Sequence, residues 1–211
     1  MILEKPPGAW AVYVLAHGAG AGMRHPFMES LAKALADEGV ATLRYEFPYL
    51  EKGARRIDPK PVLYERVRDA VEKAQGERLP LFAGGKSFGG RMTSEAQAAK
   101  PLPELRGIAF AGFPLHPARK PGTKRADHLK DVGVPLLFMQ GTRDDLADLS
   151  LLKPIVAALP HATLHLIEGA DHSLRKAIVE LAGTFAAWAR PLAQRPSGES
   201  SSRASKSAGS R

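Results

Sequence analysis

The chain has 211 residues, enough for one domain with a sizeable apolar core. Its 44% hydrophobic and 25% charged residues are an ordinary globular mix, and the lack of Cys excludes disulfides, thiolate metal sites and a cysteine nucleophile. The net charge of +8 raises nucleic acid or an anionic surface as a partner, but Arg195, Arg203, Lys206 and Arg211 against Glu199 put +3 of it at the C-terminal end and leave +5 elsewhere, with no long Lys/Arg run and no interleaved aromatics. Neither a nucleic acid nor a membrane partner is therefore expected. The first residues, Met1-Ile-Leu-Glu-Lys-Pro-Pro-Gly8, hold no apolar signal segment, and no stretch reaches the ~18 to 20 apolar residues of a membrane span, so a soluble cytoplasmic protein is the expectation.

Strand-like and helix-like segments then alternate along the chain. Residues 10–16 (WAVYVLA) form a short apolar run of strand length. Residues 26–38 carry Phe27, Leu31, Ala34 and Leu35 at helical spacing, with Gly39 as a stop. Residues 40–45 read as a strand. Residues 61–75 read as a helix with Val62, Leu63, Val67, Ala70, Val71 and Ala74 on one face. A strand at 79–83 precedes a helix at 88–100, which ends before Pro101. Strands follow at 107–111, 134–140 and 163–167, and helices at 151–159 and 173–188. Six strands apolar on both faces, separated by helices, predict a doubly wound α/β domain whose buried parallel sheet is covered by helices. The domain is expected to span residues 1–193. Residues 194–211, rich in Ser and basic residues and without large apolar side chains, are expected to be a disordered tail.

Four loops at predicted strand ends carry the chemistry. The first is Gly84-Gly85-Lys86-Ser87-Phe88-Gly89-Gly90, a G-x-S-x-G between a strand and a helix. A sharp strand-to-helix turn exposes the Ser, small residues relieve the crowding, and the helix N-terminus favours a developing negative charge. The Gly spacing matches neither a G-x-G-x-x-G nucleotide loop nor a phosphate-binding P-loop. The second is Ala16-His17-Gly18-Ala19-Gly20-Ala21-Gly22, whose small residues let backbone N–H groups approach a substrate oxygen. The N–H groups of Ala19 and Phe88 are assigned as oxyanion donors, with Gly18 and Gly20 as alternatives to Ala19. His17 reads foremost as an anchor of this loop. The third is Gln140-Gly141-Thr142-Arg143-Asp144-Asp145. Asp144 stands where a triad acid belongs, whereas Asp145 and Asp148 fit an acidic turn or helix cap better. The fourth, Glu168-Gly169-Ala170-Asp171-His172-Ser173, offers His172 as a general base. Ser87, Asp144 and His172 each follow a different strand, and their joint occurrence in this order is the strongest signal in the sequence.

These pieces, with Tyr45-Glu46-Phe47-Pro48 and Gly112-Phe113-Pro114-Leu115-His116, resemble the α/β-hydrolase superfamily, and more closely the small lidless bacterial predicted hydrolases related to dienelactone-hydrolase-like proteins. The resemblance spans about residues 12–188. It implies a three-layer αβα sandwich on a mostly parallel six-stranded sheet, a minimal α/β-hydrolase fold without a cap domain, and a Ser87–His172–Asp144 triad. Dienelactone hydrolases proper use Cys, so their activity does not carry over. The first nine residues are too short for the two N-terminal strands of larger members.

The expected function is esterase-like hydrolysis of a small acyl substrate through an acyl-enzyme. Residues 46–61 and 113–125 border the site, and His17, Phe47, Phe113 and His116 are candidates to line the substrate pocket. Basic residues there, among them Lys52, Arg55, Arg56, Arg119, Lys120, Lys124 and Arg125, suggest attraction of an anionic substrate, although a solvated basic loop explains them more simply. No cofactor is expected. No metal site is expected either, since the His residues form no H-E-x-x-H or H-x-x-E-H pattern. Two other classes compete: a catalytically idle scaffold that binds a protein partner, and a binder of nucleic acid or an anionic surface through the basic tail. The intact Ser, His and Asp set argues against the scaffold.

Overall fold

In β2 (Ala11–Ala16) every residue is buried, and the side chains alternate between two apolar layers. Val12, Val14 and Ala16 enter one core, while Ala11, Tyr13 and Leu15 enter the other. This period of two is what a strand covered on both faces requires. The same alternation recurs further on, with Leu136 and Phe138 on one side of the sheet and Leu137 and Met139 on the other.

The computed structural model describes residues 1–194. The elements run β1 (Ile2–Glu4), β2, α1 (Pro26–Asp37), β3 (Val40–Tyr45), α2 (Pro48–Glu51), α3 (Lys60–Gln75), β4 (Leu81–Lys86), α4 (Phe88–Ala99), β5 (Leu105–Ala111), a 3-10 segment (Lys124–Asp131), β6 (Leu136–Gly141), α5 (Leu149–Ala157), β7 (Ala162–Ile167), a 3-10 turn (Arg175–Ala177) and α6 (Ile178–Ala193). The strands form one sheet in the order β1-β3-β2-β4-β5-β6-β7. All neighbours are parallel except β1, which runs antiparallel to β3 with Ile2 opposite Arg44.

The sheet has seven strands rather than the expected six, and the addition is β1. Three residues ahead of a Pro pair gave no readable alternation, but the edge of β3 offers them a full register, and Arg44 Nη2 donates to Glu4 Oε2 at 3.1 Å. The αβα sandwich is otherwise as expected. Helices α3 and α4 pack on one face through Leu63, Val67, Val71, Met92 and Ala96. Helices α1 and α6 cover the other through Phe27, Leu31, Leu35, Leu181 and Phe185. Among the described residues no cap domain interrupts this frame and no helix is long and apolar enough to cross a membrane. The basic tail expected from 194 lies outside the described residues beyond Gln194.

Candidate active site

The site is built at the carboxyl ends of the parallel strands. Strand β4 runs on through Gly84 and Gly85 to Lys86, three residues beyond its expected end. The two glycines fit because their neighbours come too close for a side chain. A Cβ on Gly84 would strike the backbone of Ala109 on β5, and one on Gly85 would strike the backbone of Ala16 on β2. Gly89, in the first turn of α4, lies against Ala16 and the His17 carbonyl in the same way. Between them the chain turns at Ser87 with φ 49° and ψ −116°, a conformation that side-chain-bearing residues rarely adopt. Ser87 becomes the N-cap of α4, and its Oγ is lifted clear of the sheet edge.

His172 lies in the loop after β7, and Asp144 in the loop after β6. The structure brings both to Ser87. His172 Nε2 is 2.8 Å from Ser87 Oγ, and His172 Nδ1 is 2.7 Å from Asp144 Oδ2. The carboxylate is an acceptor only, so Nδ1 carries the proton and Nε2 is left to accept from the Ser hydroxyl. The Asp144 side chain has no exposed surface, while the His172 ring keeps 22% of its surface exposed and is reachable from solvent. Asp144 is held from two more sides: Gln140 Nε2 donates to Oδ2 at 2.5 Å, and the Leu146 N–H donates to Oδ1 at 2.8 Å. Gln140 Oε1 in turn accepts from the Phe113 N–H at 2.9 Å. Sequence reasoning passed over Gln140. Its signal is a polar side chain at the inner end of an otherwise apolar strand, with no exposed surface. Asp148 instead caps α5 through the Ser150 N–H at 2.8 Å.

The small-residue loop after β2 is fastened from behind by the segment after β3. The Phe47 N–H donates to His17 Nε2 at 3.1 Å, the Gly20 N–H to Tyr49 OH at 3.1 Å, and the Met23 N–H to Glu46 Oε2 at 3.0 Å. His17 Nδ1 lies 2.7 Å from the Gly18 carbonyl and donates to it, which fixes a neutral ring, and burial holds its pKa below the ordinary value. Among the described residues, neither the Ala19 nor the Phe88 N–H has a hydrogen-bond partner.

The four pocket candidates are corrected here. His17, Phe47 and Phe113 have no exposed surface and His116 has 4%, so their side chains back the site rather than line it. Phe47 packs edge-on to His17 and Phe88, with ring centres at 5.0 and 5.4 Å. Phe113 packs on Phe110 and Phe138. His116 Nε2 accepts the Asp148 N–H at 2.9 Å and so ties together the loops after β5 and β6. A second Ser–His contact occurs at Ser94 Oγ and His128 Nε2, 2.8 Å apart. There the Ser hydroxyl donates to the Arg91 carbonyl at 3.0 Å, so its oxygen accepts from His128 and the pair fastens the 3-10 segment to α4. Among the described residues, no three His, Asp or Glu side chains gather where they could hold a metal ion.

A Ser on a strained strand-to-helix turn, a His in the loop after the last strand and a parallel sheet sandwiched by helices define the α/β-hydrolase class. The chain belongs to the α/β-hydrolase domain family, whose match covers residues 9–186. Among solved structures it is similar to an α/β serine hydrolase homologue from Coxiella burnetii, at 18% identity over 88% of this chain and 89% of that one, with a TM-score of 0.71. It is also similar to a dienelactone hydrolase from Anabaena variabilis (22% identity, 90% and 89% covered, TM-score 0.70). A lidless α/β serine hydrolase from Xanthomonas campestris matches at 21% identity, with 92% and 89% covered and a TM-score of 0.70. At such identities these likenesses speak for the fold.

Proposed function

We propose that the protein is a serine hydrolase of esterase type that cleaves small acyl substrates through Ser87, His172 and Asp144. The observation that carries this reading is the His172 ring, which touches Ser87 Oγ at 2.8 Å with one nitrogen and Asp144 at 2.7 Å with the other. His172 Nε2 takes the hydroxyl proton as Ser87 Oγ attacks the acyl carbonyl. Asp144 keeps the ring in the tautomer this needs and stabilises the imidazolium that forms. The Ala19 and Phe88 N–H groups, without another partner among the described residues, receive the oxyanion, and the N-terminus of α4 adds its dipole there. The imidazolium then protonates the leaving oxygen. Water, deprotonated by the same ring, releases the acyl group and restores Ser87.

The lidless serine hydrolase of Xanthomonas campestris, similar in fold, supports this reading. A small soluble substrate in the cytoplasm accords with a frame that holds no membrane-crossing helix among the described residues.

The test is hydrolysis of short p-nitrophenyl esters by wild type and Ser87→Ala. Wild type is expected to turn them over and to be labelled at Ser87 by a fluorophosphonate. Ser87→Ala is expected to lose about 10⁴-fold or more in kcat and to resist labelling. Wild type that is not labelled at Ser87, or wild-type activity in Ser87→Ala, overturns the assignment.

A further inference from the structure

Lys86 stands immediately before Ser87 at the end of β4, yet its side chain does not follow the strand outward into water. Its Nζ donates to the main-chain carbonyl of His172 at 2.5 Å, a contact between residues 86 apart in sequence. The ammonium faces the Phe27 ring of α1, 5.6 Å from the centroid. A point one Cβ length from Gly112 would lie 3.2 Å from Lys86 Nζ, 3.5 Å from Asp144 Oδ2 and 3.5 Å from His172 Cε1, so the ammonium stands at the rim of the triad. Burial lowers the Lys86 pKa to about 8, while the carboxylates of Asp144 and Asp171 favour its charged form. A cation drawn out of water needs a polar partner, and the His172 carbonyl is within hydrogen-bond reach.

We propose that Lys86 is a positioning residue that ties the general base to the nucleophile. The His172 loop is short and turns through two left-handed residues, Gly169 at φ 71° and Leu174 at φ 54°. Asp171 caps this loop internally by accepting from the Ser173 N–H at 2.9 Å, and that bond does not reach the sheet. The Lys86 bond does. It seizes the peptide plane of His172 itself, so the rotation and height of the ring are set from β4. Because Lys86 and Ser87 are adjacent, any shift of the strand end carries Ser87 Oγ and the His172 carbonyl together. The spacing between Oγ and Nε2 is thereby kept through a hydrogen bond rather than through the packing of two distant loops. A displacement of about 1 Å between reacting groups costs on the order of 100-fold in rate, which is the scale of the benefit.

This inference rests on the Ser87–His172–Asp144 reading, and the experiment separates the two. Kinetics on a p-nitrophenyl ester are measured for wild type, Ser87→Ala, Lys86→Met, Lys86→Leu and Lys86→Arg. Lys86→Met, which keeps the stem and removes the donor, is expected to lower kcat about 10- to 100-fold with KM moved by less than about threefold. Lys86→Arg, which keeps a charged donor, is expected to recover most of that kcat. Should the Met variant not fold, Lys86→Leu, which also lacks a donor, is read in its place and is expected to show the same split. Wild-type kcat in a folded Met or Leu variant overturns the proposal, as does an Arg variant no better than Met. If Ser87→Ala is inactive while Lys86→Met keeps its kcat, only the role of Lys86 fails. If Ser87→Ala is as active as wild type, the triad reading fails, and the role of Lys86 with it.

Discussion

Ser87 and Lys86 are neighbours under opposite constraints. Ser87 is strained in its backbone, at φ 49°, so that its hydroxyl is presented outward. Lys86 is strained electrostatically, since its ammonium is turned inward among Phe27, Asp144 and the His172 carbonyl. The second strain has a measurable consequence for stability. The Lys86 pKa falls from 10.5 to about 8 on folding, so between these values the unfolded chain binds more protons than the native one. Stability from this group is therefore fully present above pH 10.5 and is lost as pH falls through about 8. Lys86→Met has no such titration, and the other groups titrate in both proteins. Denaturant unfolding at pH 7 and pH 10 is expected to show wild type gaining about 2 to 3 kcal/mol on Lys86→Met as pH rises. The catalytic candidates were legible in the sequence because each follows a short apolar strand, and strand ends are where side chains converge in a parallel sheet. Lys86 and Gln140 were not, since their roles are contacts across the sheet that no local spacing encodes. Phe47, Phe113 and His116 were misplaced for a related reason, while both ring nitrogens of His17 anchor its loop, as its foremost reading has it. A loop has no period, so its sequence says where a side chain starts and not whether it turns toward solvent or core.

Elements were readable to the degree that they carry a period. Strand β3 and helix α1 show their alternation or their stripe within their own residues and were located within a residue or so of their true limits. Helix α6 was read too early, at 173–188, because Leu174 adopts a left-handed φ of 54° and a 3-10 turn intervenes before Ile178. The stripe that holds α6 to the sheet nevertheless includes Leu181, Phe185 and Ala189. Phe185 is its central anchor. Its ring centre lies 4.5 Å from that of Tyr13 on β2, 5.7 Å from that of Phe82 on β4 and 6.2 Å from that of Trp188, with 1% of the residue exposed. Truncation to Ala removes the ring from a site whose walls are two strands and cannot close in on it. Phe185→Ala is expected to cost about 3 to 5 kcal/mol in unfolding free energy, measured by denaturant titration. A loss below about 1 kcal/mol would mean that α6 is held by its flanking residues instead.

At the scale of the whole molecule, the two apolar layers and the site close within the described residues. Asp144 and His172 follow β6 and β7, Ser87 follows β4 nearer the middle of the sheet, and the last buried side chain of α6 is Leu192, whose carbonyl accepts from Arg106 NH1 at 3.0 Å. The sheet, both apolar layers and the proposed triad all lie within residues 1–194. Residues 195–211 carry Arg195, Arg203, Lys206 and Arg211 against Glu199, and removing them lowers the net charge from +8 to +5. Catalysis and affinity for polyanions are thus expected to separate on truncation. A chain ending at Gln194 should keep kcat within about twofold of wild type and its melting temperature within about 2 °C, because the apolar layers and the proposed triad lie in the residues kept. The same truncation should weaken retention on heparin and flatten its salt dependence, since each phosphate- or sulfate-like contact removed takes a released counterion with it. A fall in kcat on truncation would place the tail at the active site and end the separation argued here.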